Sequence, residues 1–357
     1  MHLGQKILQL RKLLASGNLA KAKKRVVQLY KDYPDNEQIL KAGVLVFAKL
    51  NDLKNAIFFA DKLLIRDPAN FGYVTNLANW CLSLNKKERA IGYYQNFVDH
   101  YPGNARAYFQ LGLLYQQKLE YTPAVDMFEQ AIESGFMPLE ECYVNLALSH
   151  SEFRKEALAI DCLLAALKHN PLHVIASLNL ATLYQAAGRK TEAEDTYQKI
   201  LQQDPNFSEA RIRLIYSMKI DADDSLLIEA ASNRSQSPTV PALEKEGLNY
   251  ALGKAKDDLE NYEAAFAYYR IANGLQAVRI GNYEGGEMEK LVRQSMSYTD
   301  SEWVARAVDN TDFAPIFIVG HFRSGSSLVE QILSGHSAIC ALGEVDYFLR
   351  KSNEHAG

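Results

Sequence analysis

The sequence is poor in the residues and runs that mark disulfide-bonded, metal-binding or membrane-embedded proteins. Its four cysteines, Cys81, Cys142, Cys162 and Cys340, lie far apart and show no C-x-x-C spacing, so neither a zinc site nor a disulfide framework is indicated. No apolar run reaches the roughly 18 residues that a membrane helix needs. The N-terminus lacks the unbroken apolar region of a signal peptide. We therefore expect buried, reduced thiols and a cytoplasmic location.

An excess of one charge sign is also missing from the chain as a whole. The formal net charge is -4, and 48% hydrophobic with 23% charged residues is ordinary for a globular protein. This balance favours neither a nucleic acid nor a membrane as partner. The first 31 residues are a local exception, since they hold eight Lys or Arg and no Asp or Glu. Such a run attracts an acidic partner or forms a solvated helix face.

Prolines recur along the first two thirds of the chain with an almost constant step. They stand at Pro34, Pro68, Pro102, Pro138, Pro171 and Pro205, with steps of 33 to 36 residues. Similar short sequences surround three of them: Y-P-D-N, D-P-A-N and Y-P-G-N. Because proline cannot continue the helix before it, each proline is predicted to end one helical hairpin and to begin the turn into the next.

Small and large residues recur between the prolines where two helices must cross closely. One unit carries Tyr108, Leu111, Gly112, Tyr115, Ala124, Phe128 and Ala131, and the other units repeat parts of this pattern. The pattern and its step resemble the tetratricopeptide repeat. The resemblance implies, over residues 1–220, hairpins stacked into a superhelix with a concave inner groove.

The repeat pattern fades between residues 221 and 310, which we interpret as a connecting region. It is predicted to contain turns around one short helix, residues 225–232, and then a degenerate hairpin over residues 242–275. Gly253 and Ala265 lie twelve residues apart in that hairpin, as Gly112 and Ala124 do in the complete unit. Two further helices are predicted by periodicity at residues 284–298 and 301–308.

A phosphate-binding pattern follows at residues 315–344. Residues 316–319 are a short apolar run of the kind that forms a buried strand, and G-x-x-x-x-G comes next, from Gly320 to Gly325. Apolar residues at helical spacing then begin after Ser326. In this order of strand, loop and helix, the free N–H groups and the positive dipole end of the helix point at one place where a phosphate can bind.

The cation of this loop is Arg323, and no Lys stands where nucleotide-hydrolysing loops carry it. With Ser326 and Ser327, the segment resembles the 5′-phosphosulfate-binding loop of sulfotransferases, and in particular the form found in tyrosylprotein sulfotransferases and in bacterial proteins that join tetratricopeptide repeats to a sulfotransferase domain. The resemblance implies the donor 3′-phosphoadenosine 5′-phosphosulfate, transfer without a metal, and Glu344 as the general base. The donor-binding residues that it implies are Gly320, Arg323, Ser324, Gly325, Ser326 and Ser327.

Other interpretations of this segment stay open at the level of sequence. A glycine turn can simply connect a strand to a helix, and Glu344 can be a helix-capping or surface carboxylate. A nucleotide kinase or hydrolase with an unusual phosphate loop is a third possibility, against which the missing Lys counts.

The predicted fold class is mainly α: a tetratricopeptide-repeat superhelix followed by the first βα unit or units of an α/β, P-loop-like sulfotransferase domain. Residues 311–357 are expected to be the N-terminal part of that domain, since a doubly wound sheet needs several more such units. We expect the site for the 3′-phosphate to lie outside this sequence, which is then a fragment or a truncated product and inactive alone.

Amides recur at the sixth position of the first helix in successive repeats: Asn76, Gln110, Asn145 and Asn179. An amide offers both a donor and an acceptor to a peptide group, so these residues could hold an extended protein segment in the groove. They could equally bond to a neighbouring helix. The predicted function is a sulfotransferase acting on a hydroxyl, with protein tyrosine as a candidate acceptor and with repeats that recruit the protein substrate. The alternative is a protein-interaction scaffold without catalysis.

Overall fold

The structure is a computed structural model that describes residues 3–281, 286, 290, 293 and 326–336. Its contacts divide the chain into two units, residues 1–281 and 282–357. The regular structure of the described residues is helical. The predicted strand at residues 316–319 and the predicted helix at residues 301–308 lie outside the described residues, as does most of the predicted helix at residues 284–298.

The first unit is a succession of antiparallel helices. They are α1 (Leu3–Ala15), α2 (Leu19–Asp32), α3 (Glu37–Lys49), α4 (Leu53–Arg66), α5 (Phe71–Ser83), α6 (Lys87–His100), α7 (Ala105–Gln117), α8 (Tyr121–Glu133), α9 (Leu139–Glu152), α10 (Glu156–His169), α11 (Val174–Ala186), α12 (Lys190–Gln203), α13 (Ser208–Ser217), α14 (Ser225–Gln236), α15 (Ala242–Asp258) and α16 (Tyr262–Ile280). A short 3₁₀ turn, Ala222–Asp224, precedes α14. In the second unit, a further helix spans Ser326–Ser334.

Each of the first six hairpins pairs an odd-numbered helix with the even-numbered helix after it, and packs against the next hairpin. The six repeating prolines all lie in the turns that follow even-numbered helices, so the prediction from their spacing is confirmed. These same turns also supply caps that the sequence analysis did not identify. The side chains of Asn36, Asn70 and Asn104, two residues after a proline, accept hydrogen bonds from backbone N–H groups that open α3, α5 and α7.

The turns inside the hairpins repeat as regularly as the turns between them. The second residue after each odd helix from α1 to α11 adopts a left-handed conformation, with φ of 69° at Gly17, 55° at Asn51 and Asn85, 62° at Leu119, 54° at Arg154 and 74° at Gly188. This conformation closes the odd helix and redirects the chain into the even one. Only two of these six positions carry the glycine that suits such a φ best.

The two helices of a hairpin cross where a small residue faces an aromatic ring. A Cβ added to Gly112 would lie 2.7 Å from the ring of Phe128, and one added to Gly43 would lie 2.6 Å from Phe59. Gly253 faces Tyr269 in the same way, at 2.5 Å. Helices α15 and α16 therefore form a hairpin with the same close approach, and α16 extends five residues beyond the predicted end at Leu275.

The described part of the connecting region, residues 221–281, is more helical than predicted. The expected short helix at residues 225–232 extends to Gln236, so the stretch read as a turn after Ser232 is instead the last turn of α14. Tertiary contacts stabilise that turn: Ser235 is buried, and Arg234 forms an ion pair with Glu244 of α15 at 2.9 Å. A sequence window cannot show this partner, because it arrives from another helix.

Candidate functional site

The predicted phosphate loop is described only at its helical end. A helix begins at Ser326 as the apolar spacing predicted, and its first turn carries no acidic residue. Its first backbone N–H groups are therefore free of a competing carboxylate from its own first turn. Gly320, Arg323, Ser324, Gly325 and Glu344 lie outside the described residues. For these residues the site assignment stays a prediction.

A second candidate surface follows the odd-numbered helices. Neighbouring odd helices contact each other directly, as α7 does α9 and α9 does α11. In a curved stack, the helices that approach one another most closely line the inner side. The four predicted amides, Asn76, Gln110, Asn145 and Asn179, lie on α5, α7, α9 and α11 respectively. They are exposed or half-buried, and are therefore within reach of a ligand on that side.

The four amides are not equivalent. The side-chain amide of Asn145 donates to the carbonyl oxygen of Glu141 in its own helix, at 2.7 Å. The side chains of Asn76, Gln110 and Asn179 form no hydrogen bond within the described residues. Asn145 is thus occupied by a local bond, of the kind that Asn often makes in helices, whereas the other three can offer both donor and acceptor.

Gln116 is a polar residue of this surface that the sequence analysis missed. It is buried, and its amide donates to the carbonyl oxygen of Asn145 and to the hydroxyl of Ser149, both at 2.8 Å. These bonds connect α7 with α9 across two hairpins. A buried amide that is bonded in this way fixes the spacing of the inner helices.

Apolar side chains accompany the amides on the odd-numbered helices. Leu148 is 49% exposed, Ile175 59% and Tyr216 47%. At the far end, Arg213 bonds to Glu209 at 2.7 Å and to the hydroxyl of Thr182 at 3.4 Å. The surface therefore offers neutral amides and apolar contacts, with its charges already paired at the α13 end.

A strongly perturbed titratable side chain lies on the even-numbered helices. Burial, together with the hydrogen bond that its hydroxyl donates to Asp61 at 2.5 Å, raises the pKa of Tyr93 well above its usual range. Arg89 completes the cluster, at 2.8 Å from Asp61 and 3.1 Å from the Tyr93 hydroxyl. Since all three side chains satisfy one another, the cluster connects α4 to α6 and offers no free catalytic group.

Three of the four cysteines lie in the described part of the chain, and all three are free thiols. Cys81 and Cys142 are buried as predicted, whereas Cys162 is half-buried. Burial raises the pKa of the Cys142 thiol to about 12 and that of Cys162 to about 11. The thiols are therefore protonated near neutral pH and poorly nucleophilic. Within the described residues there is no cluster of three His, Cys, Asp or Glu side chains that could hold a metal ion.

Comparison with known families supports both parts of the sequence interpretation, to different extents. Two models described as tetratricopeptide repeat match residues 105–134 and 144–206. A model described as sulfotransferase family matches residues 315–355. The chain therefore carries tetratricopeptide repeats, and its described hairpins form the superhelix of this class, which supports a role as a protein-interaction scaffold. The short match at residues 315–355 overlaps the whole predicted phosphate loop.

Individual proteins are similar to part of the chain. A protein of Aquifex aeolicus (strain VF5) is 27% identical over 209 residues, which are 58% of this chain and 27% of that protein. The match thus spans about a quarter of the relative's length. A solved tetratricopeptide repeat protein from Parabacteroides merdae is 20% identical, covers 73% of this chain and 98% of its own, and has a TM-score of 0.47. The repeat protein YrrB, described as having an unusual peptide-binding site, is 21% identical, with coverage of 59% and 97% and a TM-score of 0.40.

Among the described helices, none is long and apolar enough to cross a bilayer.

Proposed function

We propose that the chain belongs to a sulfotransferase whose repeats recruit a protein and whose residues 315–344 begin the donor site for 3′-phosphoadenosine 5′-phosphosulfate. The observation that carries the proposal is the coincidence of three features in one segment. The G-x-x-x-x-G loop contains Arg323 and leads into paired serines, a helix free of carboxylates in its first turn begins at Ser326, and the sulfotransferase model matches the same residues.

The chemistry of sulfuryl transfer explains why these residue types are needed. An acceptor hydroxyl oxygen forms a bond to sulfur while the bond from sulfur to the bridging oxygen of the 5′-phosphate breaks, and negative charge develops on that oxygen. Arg323 and the backbone N–H groups of Ser324 to Ser327 would stabilise this charge, which is usually the largest catalytic contribution. Glu344 would accept the proton of the acceptor hydroxyl. As in the tyrosine-modifying enzymes that the loop resembles, that hydroxyl would be a protein tyrosine.

Isothermal titration with adenosine 3′,5′-bisphosphate, the product of such a transfer, tests the donor site. The titration uses the chain and any longer form that its reading frame encodes. The variant Arg323→Ala is made in whichever form binds the nucleotide most tightly. It should bind the nucleotide at least tenfold more weakly, because a charge-assisted contact to phosphate is lost. Arg306→Ala, which changes an arginine outside the loop, is the matched control and should bind as the unaltered chain does. Equal affinity of the Arg323→Ala variant and the unaltered chain, or no binding by any form, would refute the assignment.

The scaffold role has its own support in the inner amides and exposed apolar residues of the odd-numbered helices. We propose that they hold an extended protein segment through its main chain. A peptide selected from a random library for binding to the repeats provides the probe, and fluorescence anisotropy gives its affinity. Asn179→Ala should weaken that affinity about tenfold, since up to two hydrogen bonds are lost. Asn145→Ala should have a smaller effect, because its donor already serves Glu141.

The two tests separate the sulfotransferase from a scaffold without catalysis. Loss of peptide binding in Asn179→Ala together with absent nucleotide binding would leave the scaffold alone. If both asparagine variants bind the peptide with unchanged affinity and remain folded by circular dichroism, the amides are structural and the groove proposal fails.

A further inference from the structure

We propose that the outer face of the first two hairpins binds an anionic lipid surface. The residues of this outer basic patch are Lys24, Val27 and Lys31 on α2, and Phe58, Lys62 and Ile65 on α4. The proposal is independent of the residues at 315–344. It differs from the expectation of no membrane partner, which rests on the net charge of the whole chain.

The positive charge of the chain is concentrated at the patch end. Residues 1–66 contain thirteen Lys or Arg and five Asp or Glu, although the complete chain has a net charge of -4. All five carboxylates of this region are already paired, as Asp32 with Lys6, Asp35 with Arg66, Glu37 with Lys41, Asp52 with Lys23, and Asp61 with Arg89. Lys24, Lys31 and Lys62 have no carboxylate partner in the described part of the chain. Their charges are therefore available to an anionic partner.

The two helices that carry the patch lie side by side. The Lys62 amino group stands 5.8 Å from the ring centre of Tyr30 on α2 and 5.3 Å from that of Phe58 on its own helix. The rings of Tyr30 and Phe58 meet edge to face at 5.6 Å. Lys24 and Lys31 are two helical turns apart on α2, which places them on the same side of that helix. The lysines thus form one surface across both helices.

Bulky apolar side chains are exposed between these lysines. Val27 is 41% exposed, Phe58 44% and Ile65 78%. A surface that combines lysines with exposed aromatic and branched side chains fits the boundary of an anionic bilayer, where the cations meet headgroups and the apolar groups enter the acyl region. Neither charge nor apolarity alone would single out this partner.

The location of the patch favours a bilayer over an acidic peptide. Even-numbered helices lie opposite the inner side formed by the odd-numbered ones, so the patch is on the outer, convex face. A convex face can rest on a broad flat surface but cannot enclose a peptide, which binds best in a groove. A cavity of about 350 Å³ in the described residues lies elsewhere, lined by Asp221, Lys256 and Tyr268 among others.

Flotation of the full chain with lipid vesicles tests the proposal. The vesicles are phosphatidylcholine alone, or phosphatidylcholine mixed with phosphatidylserine. We expect the chain to float with the anionic vesicles only, and to be released by high salt because the attraction is screened. Lys24→Glu combined with Lys31→Glu should lower the partition coefficient about thirtyfold or more, and Phe58→Ser combined with Ile65→Ser about tenfold.

Lys168→Glu combined with Lys199→Glu is the matched control. These two lysines are exposed on α10 and α12, and neither has a carboxylate partner within the described residues. The control changes the net charge equally and should leave flotation unaltered. Equal loss in the control pair, equal binding to neutral vesicles, or unchanged binding of the Lys24/Lys31 pair would each overturn the proposal. Unchanged flotation of the Phe58/Ile65 pair, with tight capture of the chain by polyglutamate, would also overturn it and would assign the patch to acidic proteins.

Discussion

Glycine has opposite consequences at two open positions of the repeat stack. Gly188 follows α11 with φ of 74°, whereas Gly92 lies inside α6, and a Cβ added at either position would meet no atom within 4 Å. Packing therefore does not distinguish the two sites. Only the backbone conformation does, because the left-handed region disfavours a Cβ and the helical region does not.

The same substitution should therefore change stability in opposite directions at these positions. Gly188→Ala is expected to lower the free energy of unfolding by about 1 kcal/mol, through the cost of the left-handed conformation. Gly92→Ala should raise the free energy of unfolding by roughly 0.5–1 kcal/mol, because alanine loses less backbone entropy in a helix. Urea denaturation of both variants measures the difference. A shift of the same sign in both would contradict this account of the turn.

At this scale, the sequence predicted close packing better than it predicted hydrogen bonding. The repeat pattern predicts Gly112 and Ala124 as small residues at a helix crossing. Steric exclusion requires a small residue opposite the ring of Phe128, and this requirement recurs visibly in the sequence of each repeat. The sequence does not predict the local hydrogen bond of Asn145 to Glu141. A half-exposed amide can bond to its own helix or to a ligand, and the two states differ only slightly in free energy. The capping role of Asn36, by contrast, was readable from its place after Pro34.

Helix pairs are connected by side chains that titrate, and the cluster of Tyr93, Asp61 and Arg89 between α4 and α6 is the clearest case. Because the folded-state pKa of Tyr93 lies above the unfolded value of about 10, its neutral form is favoured in the folded chain. This contribution to stability is complete below pH 10 and is lost as pH rises further.

Tyr93→Phe should consequently have two effects on unfolding. At pH 8 the free energy of unfolding should fall by about 1 kcal/mol, because the hydrogen bond to Asp61 is removed. Above pH 10 the stability of the variant should decline less steeply than that of the unaltered chain. Thermal unfolding between pH 8 and 11 provides the measurement, with Tyr262→Phe, an exposed tyrosine on α16, as control. Parallel pH profiles for the unaltered chain and Tyr93→Phe would show that the cluster does not titrate in this way.

Element by element, the helices within the repeats follow from hydrophobic period and proline spacing, whereas the last turn of α14 does not. Its last turn depends on Arg234 meeting Glu244, a contact between helices that no local window contains. The remaining part of the predicted site, with Arg323 and Glu344, rests on motif and family resemblance. A single loop lacks the redundancy that six similar units provide.

In the described stack of hairpins as a whole, each hairpin packs mainly on its neighbours, so stability should vary along the stack. Helix α8 packs extensively on both α7 and α9, whereas α1 packs less extensively on α2 and α3. Hydrogen exchange followed by mass spectrometry should find the amides of α1 exchanging at least tenfold faster than those of α8 and α9, because terminal units open without disturbing the rest. Uniform exchange across all the hairpins would indicate that the unit unfolds as one block.

Contacts in this stack join residues that are close together in the sequence, and this determines how the stack responds to force. Even the hydrogen bond from the backbone N–H of Ile220 to Asp258, one of the widest-ranging, spans only 38 positions. A force that pulls on α1 and α16 would therefore be carried by the hairpin interfaces in series, each yielding slightly. The described stack should behave as a soft spring, able to lengthen or bend before any single hairpin is lost.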